Sequence, residues 1–177
     1  VVAHAIEALS RDAAALAGED WLVSFGIEAK SPETGFGYLQ RGAPIGASGG
    51  YQVARFVEKP DAARAEAMLA AGNYLWNAGI FLFSARSMLA AFTAHAPDLL
   101  PPVRAALEQA RPDLGFLRLD PGAWSKAASI SIDYAIMEHA RHIAMAPATF
   151  RWNDLGSWQS LLDVSPSDKD GNVVIGD

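Results

Sequence analysis

YQVARFVEKPDAARAEAMLAAGNYLWNAGIFLFS, residues 51 to 84, changes its period twice, and those changes decide the fold class. Tyr51 to Lys59 alternates its faces as a strand does, until Pro60, which has no N–H for a ladder, stops it. Asp61 then stands where a helix N-cap belongs, ahead of AARAEAMLAA, a run of strong helix formers that Gly72 ends. Tyr74 to Ser84 is the most hydrophobic stretch of the chain. It is too long for one ordinary strand and is interrupted by Asn77-Ala78-Gly79, which predicts a kinked strand or a tight hairpin. Strand, helix and strand in succession identify an α/β chain.

The same alternation continues on both sides. Upstream, Trp21 to Ile27 reads as a buried strand, SPETG as a turn, Phe36 to Arg41 as a second strand and Gly42 to Gly50 as a loop. Val2, Ile6, Leu9 and Leu16 mark an Ala-rich amphipathic helix at the start. Downstream, helices are expected at Ala85 to His95 and roughly Leu99 to Ala110, separated by Pro97 and the Pro101-Pro102 pair. A helix over Ile132 to His142, a strand over His142 to Phe150 and a last helix over Trp158 to Val164, with Ser157 as its N-cap, complete the pattern. It predicts layers around a largely parallel sheet, in one domain without repeats or linkers. Because the sequence opens on Val1 inside a helical pattern, a piece of a longer chain is expected.

Composition bounds the partners. With 177 residues, 51% of them hydrophobic, the chain can bury roughly 70% of its unfolded surface around one core. A net charge of -6 gives no electrostatic footprint for nucleic acid or an anionic membrane, so small ligands are expected. The absence of cysteine excludes disulfides, thiolate metal sites and a Cys nucleophile, and suits the cytoplasm. No apolar run reaches about 18 residues, and the first residues lack the basic-then-apolar order of a signal peptide.

Three constellations carry chemistry. In Phe56-Val57-Glu58-Lys59-Pro60, consecutive side chains would point to opposite faces, unless the strand ends and bends there. Pro60 supplies that end and biases Lys59 toward extended geometry. A carboxylate able to accept sugar hydroxyls then sits beside an ammonium able to meet a phosphate; a solvated surface pair is the plainer meaning. In Leu75-Trp76-Asn77-Ala78-Gly79, an amide among aromatics must find partners or cost about 1 to 3 kcal/mol, and Gly79 permits close approach. A sugar hydroxyl or the residue's own backbone turn would satisfy it. In Trp152-Asn153-Asp154-Leu155-Gly156-Ser157-Trp158, a carboxylate at a strand-to-helix junction can hold Mg²⁺ against phosphate oxygens, or simply favour a helix N-terminus.

Taken in order, Ser31 to Tyr38 (SPETGFGY), FVEKP, NAGIFLF, SISIDYAIME and WNDLGSW resemble the later part of the catalytic domain of bacterial mannose-1-phosphate guanylyltransferases, including those fused to a mannose-6-phosphate isomerase. The likeness runs from about Leu22 to Asp177. It implies a GT-A-like, Rossmann-type nucleotidyltransferase fold whose N-terminal part is missing, so that residues 1 to 177 form a partial domain. It also implies transfer from GTP to mannose 1-phosphate, giving GDP-mannose for polysaccharide biosynthesis and pyrophosphate, with Mg²⁺ as cofactor. By position in the motifs, Glu58 would bind mannose hydroxyls and Lys59 the sugar phosphate. Asn77 and the Gly37 backbone would contact the sugar, and Asp154 would be a metal ligand. Lys59 and Asp154 would therefore carry the catalysis. Asp133 is a neighbour of that site or the N-cap of its own helix.

The family's G-G-x-G-x-R-L-x-P-L signature and its upstream Asp-His element have no counterpart in this sequence, and neither does an isomerase cupin. The chain is therefore expected to hold the acceptor pocket without most of the nucleotide pocket, to be inactive alone, and to form a homo-oligomer that covers an exposed sheet edge. A glucose 1-phosphate enzyme and a non-catalytic sugar-phosphate module on the same fold are the competing readings. Two signals are set aside. His139 and His142 share a predicted helix but lack a supporting carboxylate pattern, and Asp168-Lys169-Asp170-Gly171-Asn172 has Pro166 where a calcium loop needs its first ligand.

Overall fold

The computed structural model describes residues 11–148, 150, 152–156 and 158–174. The expected residues Val2, Ile6 and Leu9 of the opening helix, and Ser157 as a cap, lie outside them. A helix carrying residues 11–18 (α1) leads into β1 (Leu22–Glu28), β2 (Tyr38–Pro44), β3 (Tyr51–Val57), α2 (Ala62–Ala71) and β4 (Tyr74–Leu82). There follow α3 (Ala85–His95), a 3-10 turn (Pro97–Leu99), α4 (Leu100–Glu108) and a small hairpin of β5 (Arg111–Asp113) and β6 (Phe116–Arg118). After α5 (Pro121–Trp124) come a π-helical turn (Asp133–Met137), β7 (Ile143–Pro147) and α6 (Trp158–Val164).

Local chemistry sets the boundaries of the central unit as its residues suggest. The Asp61 carboxylate accepts from Arg64 N–H at 2.8 Å to open α2, and Gly72, at φ 69°, closes it in the left-handed conformation glycine adopts without penalty. Ser84 caps α3 in the same way, accepting from Ser87 N–H at 3.0 Å.

Five strands close on themselves in the order β1-β4-β2-β3-β7. The expectation of a largely parallel sheet is wrong: β1 with β7 is the parallel pair, while β1–β4, β2–β3, β2–β4 and β3–β7 are antiparallel. The strand–helix–strand unit does run β3 and β4 in one direction, but β2 is inserted between them and opposes both. A short β2–β3 connection explains this, because a hairpin can only join antiparallel neighbours. That connection is shorter than the sequence suggested. β2 runs on to Pro44, opposite Tyr51, and Ile45 N–H bonds Gly50 O at 2.9 Å. Ring closure also removes the free sheet edge on which self-association was argued.

The long apolar stretch is one strand with a bulge. Between the pairs Ser24↔Phe81 and Gly26↔Asn77, Phe25 of β1 faces Ala78, Gly79 and Ile80 of β4, with Gly79 at φ 68°. The expected helix over Ile132 to His142 shrinks to the π-helical turn. The chain leaves the helical course after Ala140 N–H bonds Ile136 O at 2.8 Å, and the His142 carbonyl accepts from Leu22 N–H at 3.0 Å as β7 enters its ladder with β1. His139 and His142 thus share no helix; His142 stacks on Trp21 with ring centroids 3.7 Å apart.

Alternate residues of the strands feed two cores. Val23, Tyr38, Val57, Ala144 and Ala146 pack with Leu16 of α1, whereas Leu22, Leu39, Phe56, Ile143 and Met145 pack with Met88 of α3 and Ile136 and Met137 of the π-helical turn. Both faces of the strands are covered, which fits their near-continuous apolar runs.

Candidate functional site

β3 ends at Val57, and the next two residues turn out of the sheet. Glu58 keeps only 9% of its side-chain surface exposed, while the adjacent Lys59 exposes 56%; their charged ends lie 3.7 Å apart. Burial foremost, then the nearby Asp133 carboxylate, pushes the Glu58 carboxyl above its ordinary range, with Lys59 pulling the other way. Lys59 departs from the expected extended geometry: its φ is 44°, in the left-handed region. A lysine there costs of order 1 to 3 kcal/mol and persists only where its surroundings over-determine it. The bend that aims Glu58 and Lys59 together is therefore imposed by tertiary contacts, not by Pro60 alone.

Asn77 sits in β4, 7% exposed, and is wired to three elements. Its Oδ1 accepts from Ser24 Oγ of β1 at 2.8 Å and from Gly79 N–H at 3.2 Å, and its Nδ2 donates to Asp133 Oδ1 at 3.1 Å. With Oδ1 doubly engaged, the amide orientation is fixed, and one Nδ2 hydrogen is left for a further acceptor. Gly37 lies against the same patch. Its carbonyl accepts from Asn77 N–H at 2.8 Å. A β-carbon there would stand 2.5 Å from Glu58 Oε2 and 3.2 Å from Asn77 Cβ. Glycine leaves that space to its two neighbours. Asp133 joins this patch through Asn77 and makes no N-cap bond within its own turn.

The chain thus brings Gly37, Glu58, Lys59, Asn77 and Asp133 together. Asp154 is different. It is exposed, and its Oδ1 accepts from Gly156 N–H at 3.1 Å, two residues on. Its segment is tied in through aromatic rings: Phe36 packs edge-on against Trp76 at 5.2 Å and against Trp152 at 5.5 Å. Of the tryptophans in these segments, Trp76 is 9% exposed and Trp158 84%. Among the described residues no group of three or more His, Cys, Asp or Glu is placed to hold a metal ion. One exposed carboxylate does fit Mg²⁺, which keeps several waters and takes one or two carboxylates plus substrate phosphates.

Three contributors escaped the sequence reading. Ser24, fully buried, orients Asn77, and its signal was being the one polar side chain in LVSFGI. Glu138, the last residue of SISIDYAIME, accepts from Glu58 N–H at 2.9 Å. Phe36 links two tryptophans. A groove of about 770 Å³ lined by Arg55, Glu58, Arg64, Glu138 and Arg141 runs beside the strand end and adds positive charge there. The Asp168 loop, set aside as a calcium site, is a polar turn: its carboxylate accepts from Asn172 and Asp170 N–H at 2.8 and 2.9 Å, and these bonds hold its carboxyl below the usual range.

Comparison with known proteins adds the following. The family model described as nucleotidyl transferase matches residues 1–171. The chain is 45% identical over 166 residues to a mannose-1-phosphate guanylyltransferase of Sinorhizobium fredii, covering 94% of this chain and 32% of that protein. It is 45% identical over 173 residues to the xanthan biosynthesis protein XanB of Xanthomonas campestris pv. campestris, covering 98% and 36%. Among solved structures, a mannose-6-phosphate isomerase from Helicobacter pylori superposes with a TM-score of 0.77 at 30% identity, over 85% of this chain and 59% of that one. A Thermus thermophilus protein described as a mannose-1-phosphate geranyltransferase gives 0.73 at 32% identity, over 89% and 43%. The chain spans about a third of the length of the curated relatives it matches.

Proposed function

The chain belongs to the nucleotidyl transferase family, and from that premise we propose that it is the sugar-phosphate side of a GT-A-like enzyme that transfers a guanylyl group from GTP to mannose 1-phosphate, forming GDP-mannose and pyrophosphate. The observation that carries this reading is the convergence of Gly37, Glu58, Asn77 and Asp133: Asn77 is bonded across elements to Gly37 and Asp133, and the Glu58 carboxylate lies against Gly37 where a side chain would otherwise stand. Such a patch is suited to a small hydroxylated ring: Glu58 accepts from its hydroxyls, and the remaining Asn77 N–H donates to one. Lys59 extends into solvent beside Glu58, where its ammonium meets the anomeric phosphate.

In the reaction, a phosphate oxygen of the sugar attacks the α-phosphorus of GTP in line, and pyrophosphate leaves with the bonding electrons. The residues of this chain hold the nucleophile in position, and Lys59 offsets its charge. Asp154 would hold Mg²⁺, which supplies neutralisation of the phosphate oxygens as charge shifts. The sequence lacks the family's glycine-rich nucleotide signature, so the isolated chain should release no pyrophosphate from GTP and mannose 1-phosphate. A cytoplasmic setting suits nucleotide and sugar phosphate substrates. No helix among the described residues is long and apolar enough to cross a membrane. Self-association would rest on exposed apolar side chains such as Leu114, Phe116 and Leu117; a clean monomer on size exclusion would remove it.

Calorimetry with mannose 1-phosphate and mannose tests the central claim. Binding of the phosphate ester, lost in Lys59→Ala and weak for free mannose, supports it; no binding by the wild-type chain rejects it. Assaying a full-length homologue with GTP, ATP, UTP and dTTP against mannose and glucose 1-phosphates tests the guanylyl and mannose assignments.

A further inference from the structure

The π-helical turn touches both halves of the candidate site. At its first residue, Asp133 Oδ1 accepts from Asn77 Nδ2 at 3.1 Å. Immediately after its last, Glu138 Oε1 accepts from the backbone N–H of Glu58 at 2.9 Å. Both bonds cross between distant parts of the chain, 56 and 80 residues apart in sequence. The turn itself is closed by Glu138 N–H on Asp133 O at 3.0 Å, the i to i+5 bond that defines a π-turn. In an α-helix of about 3.6 residues per turn, side chains five apart point about 140° away from each other. The wider closure brings both carboxylates toward the one patch. Between them Ala135, Ile136 and Met137 are buried at 5%, 0% and 1% exposure, so the turn is pinned in the core and does not follow its surface partners. The bond to Glu58 falls just ahead of Lys59, whose left-handed φ needs outside support, and the buried Pro60 restrains it from behind.

We propose that this turn is a clamp that sets the two substrate-contacting segments against each other, and that Glu138 is a positioning residue whose carboxylate oxygen fixes the Glu58–Lys59 bend. The ligand consequence rests on the sugar-phosphate reading above; the positioning itself does not. What the clamp requires of Glu138 is an acceptor at that distance. Glutamine supplies one and alanine does not.

The test uses the whole chain as Glu138→Ala and Glu138→Gln. By hydrogen exchange, the Glu58 amide should lose about tenfold of its protection in Glu138→Ala, as expected for the loss of one hydrogen bond, and keep most of it in Glu138→Gln. Calorimetry with mannose 1-phosphate should show about a tenfold weaker Kd for Glu138→Ala and near-native affinity for Glu138→Gln. Unchanged Glu58 protection in Glu138→Ala, or equal damage in both variants, overturns the clamp. A wild-type chain that does not bind mannose 1-phosphate rejects the functional reading while leaving the exchange result to decide the positioning. Asp133→Ala and Asp133→Asn form a second pair, read at the Asn77 side-chain amide resonances. If Glu138→Ala does not fold, a shift in Asp133→Ala rescued by Asp133→Asn supports the clamp, and no shift sinks it.

Discussion

Asn77 and Asp154 lie in segments whose tryptophans, Trp76 and Trp152, both pack on Phe36, yet among the described residues one is fastened from several elements and the other to its own turn. Asn77 is bonded to Ser24, Gly79, Gly37 and Asp133, and buried. Asp154 is exposed and bonded to Gly156 two residues on. A group held by tertiary contacts is oriented before a ligand arrives and loses little freedom on binding it. A locally held carboxylate is free to adjust to a hydrated cation and a phosphate whose positions the substrate sets. On the proposed reading, the sugar pocket is built into the fold, while the metal position is completed by what binds there.

The strongest test of that contrast is Asn77→Ala. It strips the buried Ser24 hydroxyl of its acceptor and leaves Asp133 without its donor, which should cost about 1 to 3 kcal/mol of unfolding free energy in urea. Mannose 1-phosphate binding should vanish in calorimetry. A variant as stable as wild type would show that Asn77 is not wired as described.

Gly37→Ala separates fit from stability. The new methyl would meet Glu58 Oε2, the movable end of a side chain, and Asn77 Cβ, which must give by a few tenths of an ångström. Glu58 can swing aside, so the loss in stability should stay near about 1 kcal/mol, within the ordinary range of single substitutions. The displaced carboxylate should weaken mannose 1-phosphate binding about tenfold or more. Full affinity in Gly37→Ala would remove Glu58 from the pocket.

These positions also mark what the letters reveal and what they hide. α2 is legible end to end because Asp61 and Gly72 act locally, and the kink at Gly79 is legible because a break in an apolar run is a local signal. Strand neighbours are not. β2 lies between β3 and β4 because of pairing across the sheet, which alternation of elements does not encode. Gly37, Glu58, Asn77 and Asp133 are singled out through ordered motifs, and the structure sets them side by side, but the bond from Glu138 to Glu58 spans 80 residues and has no local signature. The positive φ of Lys59 opposes the extended geometry that Pro60 favours, and the support proposed for it comes from that distant contact.

Glu58→Gln sharpens the electrostatic side of the comparison. Burial, followed by Asp133, raises the Glu58 carboxyl in the folded chain above its ordinary 4.5. A carboxyl with a raised folded value binds its proton more readily when folded. Its contribution to stability is fully present below the unfolded value and is lost as pH rises through the folded one. Glu58→Gln should therefore melt higher than wild type at neutral pH, and the gap should close as pH falls to about 4.5. Melting curves followed by circular dichroism across that range check it; a gap independent of pH would show that Glu58 carries no such strain.

Asp154→Ala should give the smallest structural effect. The side chain is exposed and its recorded bond is to a neighbouring amide, so unfolding free energy should change by no more than about 0.5 kcal/mol. In EDTA, mannose 1-phosphate should bind the variant and the wild type alike, because the sugar patch takes nothing from Asp154. Adding Mg²⁺ should tighten binding in the wild type and leave the variant unmoved, since hard cations seek carboxylate and phosphate oxygens together. Equal tightening in both would remove Asp154 as the metal ligand. A drop in sugar-phosphate affinity without metal would show that the two regions are coupled more closely than their bonds imply.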